Sequence, residues 1–264
     1  MNITIGITTF QHRFEKYFKP LIKQIREQSD IEIVVYINAQ YGKEFDKEYR
    51  RNMLNFLAEY DNIFPIFTPH FKGLSKMWNT IIVNSTNNNI LICNDDVSIR
   101  ENFIKELNSV ISQNNTSFRI NGSFSHFVVS REEVFRVGFF DERLIGLGEE
   151  DGDWCFRFER YYQKHLPSLN TPNMISYSMN KDSELAKDEV TPCNSKYVRW
   201  NSDWIFQNKY DPNNEELGIS QGFPANGQGG MFGKPVAMRE CEDLNFYPTE
   251  EFFWKHIGEL KNLR

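Results

Sequence analysis

The segment Ile31–Ile37, IEIVVYI, limits the fold of this chain more than any other stretch. A β-branched, apolar run broken only by Glu32 cannot leave one face in water, so it predicts a strand inside a sheet covered on both sides. The flanking segments fit that demand. Ile3–Thr9 reads as a first strand ending in the polar turn Thr8-Thr9, and Phe14, Phe18, Leu21, Ile22 and Ile25 mark a helix begun or kinked at Pro20. Asn38 stands at the exit of the second strand. Phe45, Tyr49, Met53, Phe56, Leu57 and Tyr60 then recur at helical spacing, and Ile63–Thr68 gives a third strand. Leu74, Met77, Trp78, Ile81 and Ile82 form another amphipathic stripe, and Asn89–Cys93 a fourth buried strand. Strands alternating with helices predict an α/β fold, a mostly parallel Rossmann-like sheet flanked by helices.

The fourth strand leads directly into Asn94, Asp95 and Asp96. Ligands of open α/β sheets bind beyond the carboxyl ends of the strands. Thr8, Asn38 and Asp95-Asp96 are therefore expected along one edge, around one crevice. Phe103, Leu107, Val110 and Ile111 predict the next helix, and Ser117–Ser130 alternates as a strand does. Ser130 and Glu133 have the spacing of a capping box.

A second acidic group, Glu149, Glu150, Asp151 and Asp153, follows in GLGEEDGDWCFR. Two unit charges ~4 Å apart repel by about 4 kcal/mol at an effective dielectric near 20, so such a cluster needs a cation, a proton or bulk water. Trp154, Phe158, Tyr161 and Tyr162 continue it at the spacing of a buried helix stripe, which puts the acids at a helix N-terminus pinned by aromatic packing.

Beyond Lys164 the periodicity weakens. Residues 166–264 are expected to form an irregular C-terminal segment, with Gly222–Gly233 as a mobile loop. Trp200 and Trp204 in this half could stack on an acceptor sugar or simply pack, and Trp254 also falls here.

The 264 residues are 40% hydrophobic and include 23 phenylalanines, enough for one substantial core. A net charge of −6, with no long Lys/Arg block, argues against a nucleic-acid partner. Cys93, Cys155, Cys193 and Cys241 show no C-x-x-C pairing, which suits a reducing compartment. The N-terminal stretch lacks a charged region followed by a long apolar core, and no apolar run reaches the ~18 residues of a membrane span. These features point to a cytoplasmic protein, with peripheral attachment at the inner face of a membrane left open.

Hard divalent cations such as Mg²⁺ or Mn²⁺ take carboxylate oxygens together with a substrate's phosphates. One acid set that holds a diphosphate, and another that takes a proton from an attacking hydroxyl, is what transfer from an activated sugar requires. The order of Ile3–Thr9, Glu32–Asn38, Lys72-Gly-Leu-Ser-Lys-Met-Trp-Asn79, Leu91-Ile-Cys-Asn-Asp-Asp-Val97, Val137-Gly-Phe-Phe-Asp-Glu142 and Glu150-Asp-Gly-Asp153 resembles family 2 glycosyltransferases with the GT-A fold. The resemblance covers roughly residues 1–165, which would be the nucleotide-sugar-binding and catalytic core. Residues 166–264 would then be an acceptor-facing or lid segment.

The resemblance implies an inverting, metal-dependent transferase with Mn²⁺ or Mg²⁺ as cofactor and a nucleotide sugar, a UDP-sugar foremost, as donor. A glycan or lipid-linked glycan would be the acceptor, in surface polysaccharide synthesis. It implies Asp96 with Asp95 as the metal and diphosphate site, and Asp151 as general base. Glu150 would help bind sugar or acceptor, while Thr8, Thr9, Asn38, Gly73, Asn79 and Asp95 would hold the nucleotide. The sequence departs from the family pattern in three places. TTFQHR replaces a proline-containing loop, Asn38 replaces an Asp that contacts uracil, and Asn173–Asn180 offers no histidine as a further metal ligand. His126, His165 and His256 remain, none assigned. A sugar nucleotidyltransferase would want a glycine-rich loop after the first strand, which TTFQHRF lacks; a degenerate sugar-nucleotide or glycan-binding module would not need both acid groups.

Overall fold

The computed structural model describes residues 3–39, 45–69, 72–113, 116–142, 150–177, 210–211, 218–222 and 230–238. Two compact units account for the chain: the described residues of Met1–Lys72, Met77–Glu133 and Pro167–Val190 make the first, and those of Gly73–Lys76, Val134–Leu166 and Thr191–Arg264 the second.

The first unit is built on a sheet whose four leading strands are β1 (Ile3–Phe10), β2 (Glu32–Asn38), β3 (Ile63–Phe67) and β4 (Asn89–Asn94). They run parallel in the order β3-β2-β1-β4. After the short β5 (Val97–Ile99), the chain forms a hairpin of β6 (Phe118–Ile120) and β7 (Ser123–Ser130), and β7 docks antiparallel on β4. Beyond residue 165, β8 (Ser168–Leu169) pairs parallel with β6, completing the seven-stranded order β3-β2-β1-β4-β7-β6-β8, while β9 (Met174–Ser176) pairs antiparallel with β5. The sheet is mostly parallel and mixed, as the strand and helix alternation predicts. Among the described residues its edges are β3, interrupted by Pro65, and the two-residue β8.

Register explains the core. Ile3, Ile5 and Ile7 of β1 lie beside Ile33, Val35 and Ile37 of β2 and Leu91 and Cys93 of β4, all buried in one cluster. On them pack Leu21, Ile22 and Ile25 of α1 (Lys19–Arg26), Met53 and Leu57 of α2 (Lys47–Leu57), and Phe103 and Leu107 of α4 (Phe103–Gln113). Pro20 lies in the first turn of α1. The preceding residues wind differently: a 3₁₀ turn over Gln11–Arg13, then a π-helical turn over Phe14–Phe18. Proline suits a first turn because its missing N–H is unneeded there. Asp46 caps α2 by accepting from the N–H groups of Glu48 and Tyr49.

The β6–β7 hairpin turns on Asn121 and Gly122, with φ of 52° and 72°. A two-residue hairpin turn of type I′ needs both residues left-handed, and Asn-Gly is the pair that adopts this most readily. The Ser130/Glu133 capping box does not form. The Ser130 N–H donates to the Ser117 hydroxyl instead, and the buried Glu133 carboxylate accepts from the Thr116 hydroxyl and the Ser117 N–H. Glu133 thus ties α5 (Arg131–Val137) to the start of β6.

The opposite sheet face carries α3 (Leu74–Asn84). Its Ile81 leaves no room above Gly6: a Cβ there would overlap Ile81 Cγ2. Trp78 meets Phe127 edge-on at 5.0 Å between ring centroids.

In the second unit, α6 (Glu150–Tyr162) starts with the acidic residues. Tyr161, assigned to its buried stripe, is exposed. The chain beyond 165 is more regular than its periodicity predicts. β10 (Tyr210–Asp211), β11 (Gly218–Gly222) and β12 (Gly230–Met238) form an antiparallel sheet, so Gly222 and Gly230–Gly233 of the expected mobile loop lie in strands and 223–229 fall outside the described residues. Trp200, Trp204, Trp254 and His256 also lie outside them.

Gly6→Ala is expected to destabilise the protein by about 1–3 kcal/mol through overpacking against Ile81, measured by urea unfolding.

Candidate active site

The carboxyl ends of β1, β2 and β4 carry the residues expected around the crevice. Thr8 lies opposite Asn94 in the ladder, and its hydroxyl donates to the Asn94 Oδ1 at 3.1 Å. Thr9 donates to Asp95 Oδ2 at 2.7 Å. Asp95 has no solvent exposure, and its other oxygen takes Arg13 Nη1 at 3.0 Å. The same nitrogen is 3.9 Å from Asp96 Oδ1. The sheet alone does not supply this arginine; the 3₁₀ turn after β1 delivers it. Burial raises the Asp95 pKa above the usual carboxylate value and the neighbouring Asp96 adds to this, while Arg13 and the Thr9 hydroxyl oppose it. Burial pushes the Cys93 thiol upward as well, with both aspartates adding to the effect.

The two acids therefore differ in availability. Asp95 has both oxygens engaged, whereas Asp96 is 4% exposed and, among the described residues, has its ion-pair contact with Arg13 at the longer distance. Its backbone carbonyl accepts from the Tyr177 N–H at 2.9 Å, which ties the strand exit to the end of β9. Among the described residues no group of three His, Cys, Asp or Glu side chains is arranged to hold a metal. One or two carboxylates completed by substrate phosphates and water is nevertheless an ordinary donor set for Mg²⁺ or Mn²⁺. Asp96 fits that role better than Asp95.

Asn38 is spent on architecture. Its Oδ1 accepts from the Lys72 N–H at 3.0 Å and from the Thr68 hydroxyl, and its Nδ2 donates to the Lys72 carbonyl at 2.8 Å. It thus pins the backbone ahead of α3. Gly73 immediately precedes that helix, and Asn79 is buried on it.

His126 lies opposite Cys93 in the β4–β7 ladder, fully buried, with both ring nitrogens lacking a hydrogen-bond partner. Burial lowers its pKa, with Asp96 opposing. His165 is exposed and faces Glu159 at 3.2 Å.

The second acidic group, in the other unit, divides into different roles. Asp153, fully buried, receives Arg157 Nε at 3.0 Å and Nη2 at 2.9 Å. Arg157 also donates to the carbonyls of Val137 (3.0 Å) and Phe139 (2.7 Å). Trp154 Nε1 donates to the Gly138 carbonyl at 3.0 Å, and the indole stacks on Phe140. Gly138, at φ 97°, ends α5 with its N–H on the Val134 carbonyl. These contacts fix the start of α6 against the Gly138–Phe140 segment. They leave Glu150, buried, and Asp151, half-buried, in the first turn. Asp151 Oδ1 accepts from the Gly152 N–H at 2.8 Å. Glu149 lies outside the described residues. Lys76 pairs with Glu142 at 3.1 Å.

Residues 74–187 match the sequence profile described as "Glycosyltransferase like family 2", a span that contains Asp95, Asp96, Glu150 and Asp151. The chain resembles the family 2 glycosyltransferases and has the GT-A fold. TarS from S. aureus is 13% identical with a TM-score of 0.54, over 78% of this chain and 40% of that one. This chain thus spans about two fifths of TarS. The mannosyltransferase PcManGT from Pyrobaculum calidifontis, solved with GDP-Man and Mn²⁺, is 11% identical with a TM-score of 0.56, over 80% of this chain and 66% of that one. GalNAc-T7, solved with UDP, GalNAc and Mn²⁺, is 9% identical with a TM-score of 0.51, over 66% of this chain and 42% of that one. No curated protein matches in sequence. Among the described residues of this family 2-like chain, no helix is long and apolar enough to cross a membrane.

Asp153→Ala is expected to cost about 3–5 kcal/mol in urea unfolding, because it removes the carboxylate paired with a buried arginine. His126 gives a pH signature. Its folded pKa lies below the 6.5 of the free group, so the unfolded chain binds protons first and stability falls as pH drops below that value. His126→Leu should show a smaller fall in melting temperature than the parent protein when the pH is lowered through 6.5.

Proposed function

We propose that the protein is an inverting glycosyltransferase that moves a sugar from a nucleotide-sugar donor to a hydroxyl of a glycan or lipid-linked acceptor. The observation that carries this reading is the strand-exit arrangement of Thr9, Asp95, Arg13 and Asp96, which leaves one carboxylate available at the carboxyl end of a parallel sheet. The solved structures of PcManGT with GDP-Man and Mn²⁺ and of GalNAc-T7 with UDP and Mn²⁺ support a nucleotide-sugar donor and a divalent ion.

Asp96, with Asp95 behind it, would hold Mn²⁺ or Mg²⁺. When bound, the ion neutralises charge building on the departing diphosphate. Asp151 accepts the proton of the acceptor hydroxyl as its oxygen bonds to the anomeric carbon. The bond from that carbon to the diphosphate oxygen breaks on the opposite face, so configuration inverts. Glu150 orients the sugar or acceptor hydroxyls. Thr8, Thr9, Asn38, Gly73 and Asn79 form the nucleoside subsite; Asn38 acts there by holding the Lys72 backbone, and Thr9 by orienting Asp95. Residues 1–165 form the donor-binding core and 166–264 the acceptor-facing segment. Surface polysaccharide assembly at the cytoplasmic face of a membrane is the setting we assign to this reaction.

A thermal-shift screen of UDP-, GDP-, CMP- and dTDP-sugars with and without Mn²⁺ tests the donor class, with a selective, metal-dependent rise expected. With the donor found, Asp151→Asn should retain nucleotide-sugar affinity and lose transfer by about 10²–10⁴-fold. Unchanged turnover would remove Asp151 from the role of base. Excess EDTA should abolish transfer, and full activity in EDTA would argue against an ion at Asp96.

A further inference from the structure

We propose that Arg13 is the built-in counter-cation of the Asp95-Asp96 pair, and that it restricts divalent ions to entering this site together with an anionic diphosphate. This rests on the transferase reading above, because the diphosphate is that of its donor.

The charge balance is direct. Asp95 and Asp96 contribute two negative charges, and Arg13, whose guanidinium cannot be deprotonated in a protein, returns one positive charge at 3.0 Å from the first and 3.9 Å from the second. Of these three side chains, a divalent ion approaching Asp96 without nucleotide meets a summed charge of one negative, with a fixed cation beside it. The guanidinium side chain is only 12% exposed, so solvent screens that repulsion less than at a surface. A diphosphate reverses the balance, since its negative charges attract the ion and the guanidinium together, and a guanidinium fork suits phosphate oxygens.

Arg13 is also held in place by independent features. It ends the 3₁₀ turn, its guanidinium carbon lies 5.8 Å from the Phe10 ring centroid, and the next five residues wind as a π turn before α1 begins. π turns inside helices concentrate at functional positions, and this one sets the chain direction on leaving Arg13. Arg13 is in this sense a positioning residue: it acts on the ion and diphosphate, not on the transferred sugar.

The test measures Mn²⁺ binding by electron paramagnetic resonance, without nucleotide and with saturating UDP or GDP, for the parent protein, Arg13→Gln and Arg13→Lys. The parent and Arg13→Lys should bind Mn²⁺ weakly alone and much more tightly with nucleotide. Arg13→Gln should bind Mn²⁺ alone at least about tenfold more tightly than the parent, and show less gain from nucleotide. Circular dichroism confirms that each variant is folded. Equal affinity of parent and Arg13→Gln for Mn²⁺ alone would overturn the proposal. So would a parent protein that binds Mn²⁺ equally well with and without nucleotide, a result that requires no variant. Failure of every form to bind any nucleoside diphosphate would instead overturn the transferase reading, while the comparison in Mn²⁺ alone would still decide the role of Arg13.

Discussion

A carboxylate with no solvent contact at the end of a parallel sheet must be answered by a cation or a proton, and Asp95 sets that condition for the first unit. The answer is assembled from three places in the chain. β1 supplies the Thr9 hydroxyl, the irregular turn after it supplies Arg13, and β4 supplies the acid itself. The departure of Gln11–Phe18 from regular helix is therefore tied to the electrostatics of the strand exit. A regular helix beginning directly at Phe10 would direct residue 13 along a different path.

The second unit solves a similar problem with opposite emphasis. Four carboxylates within five residues would repel one another, and Arg157 removes Asp153 from that competition in a buried pair, with Nε and Nη2 both on Asp153 Oδ2. The same arginine reaches the carbonyls of Val137 and Phe139, so one side chain neutralises an acid and fixes the approach to α6. Asp153 is thus architectural.

Much of this was legible in the residues. Runs such as IEIVVYI and NILIC declare buried strands, the helical stripes between them declare the covering layers, and strand exits declare where polar side chains gather. What escaped was chosen by long-range geometry. Nothing local marks Arg13 as the partner of an acid 82 residues away, whereas Arg157 follows Asp153 by four residues on α6, an ion-pair spacing open to a reading of the sequence. Ser130 and Glu133 had the spacing of a cap, yet the neighbouring β6 offered Glu133 better donors in the Ser117 N–H and Thr116 hydroxyl. Asn121-Gly122 was the exception: that dipeptide is a recognisable hairpin signal, and reading Ser117–Ser130 as one alternating stretch passed over it. Beyond residue 165, β8, β9 and β10 are two or three residues long, too few for periodicity to register, and the longer β11 and β12 carry glycines, with Pro235 also in β12.

The margins of the main sheet bear on how this protein meets its own copies. Pro65 denies the outer β3 one backbone donor, and β8, at the far side, is two residues long. An incoming extended chain would find an interrupted row of partners on one flank and almost none on the other. Both flanks are thereby poor templates for runaway stacking, a safeguard written into the backbone and independent of charge.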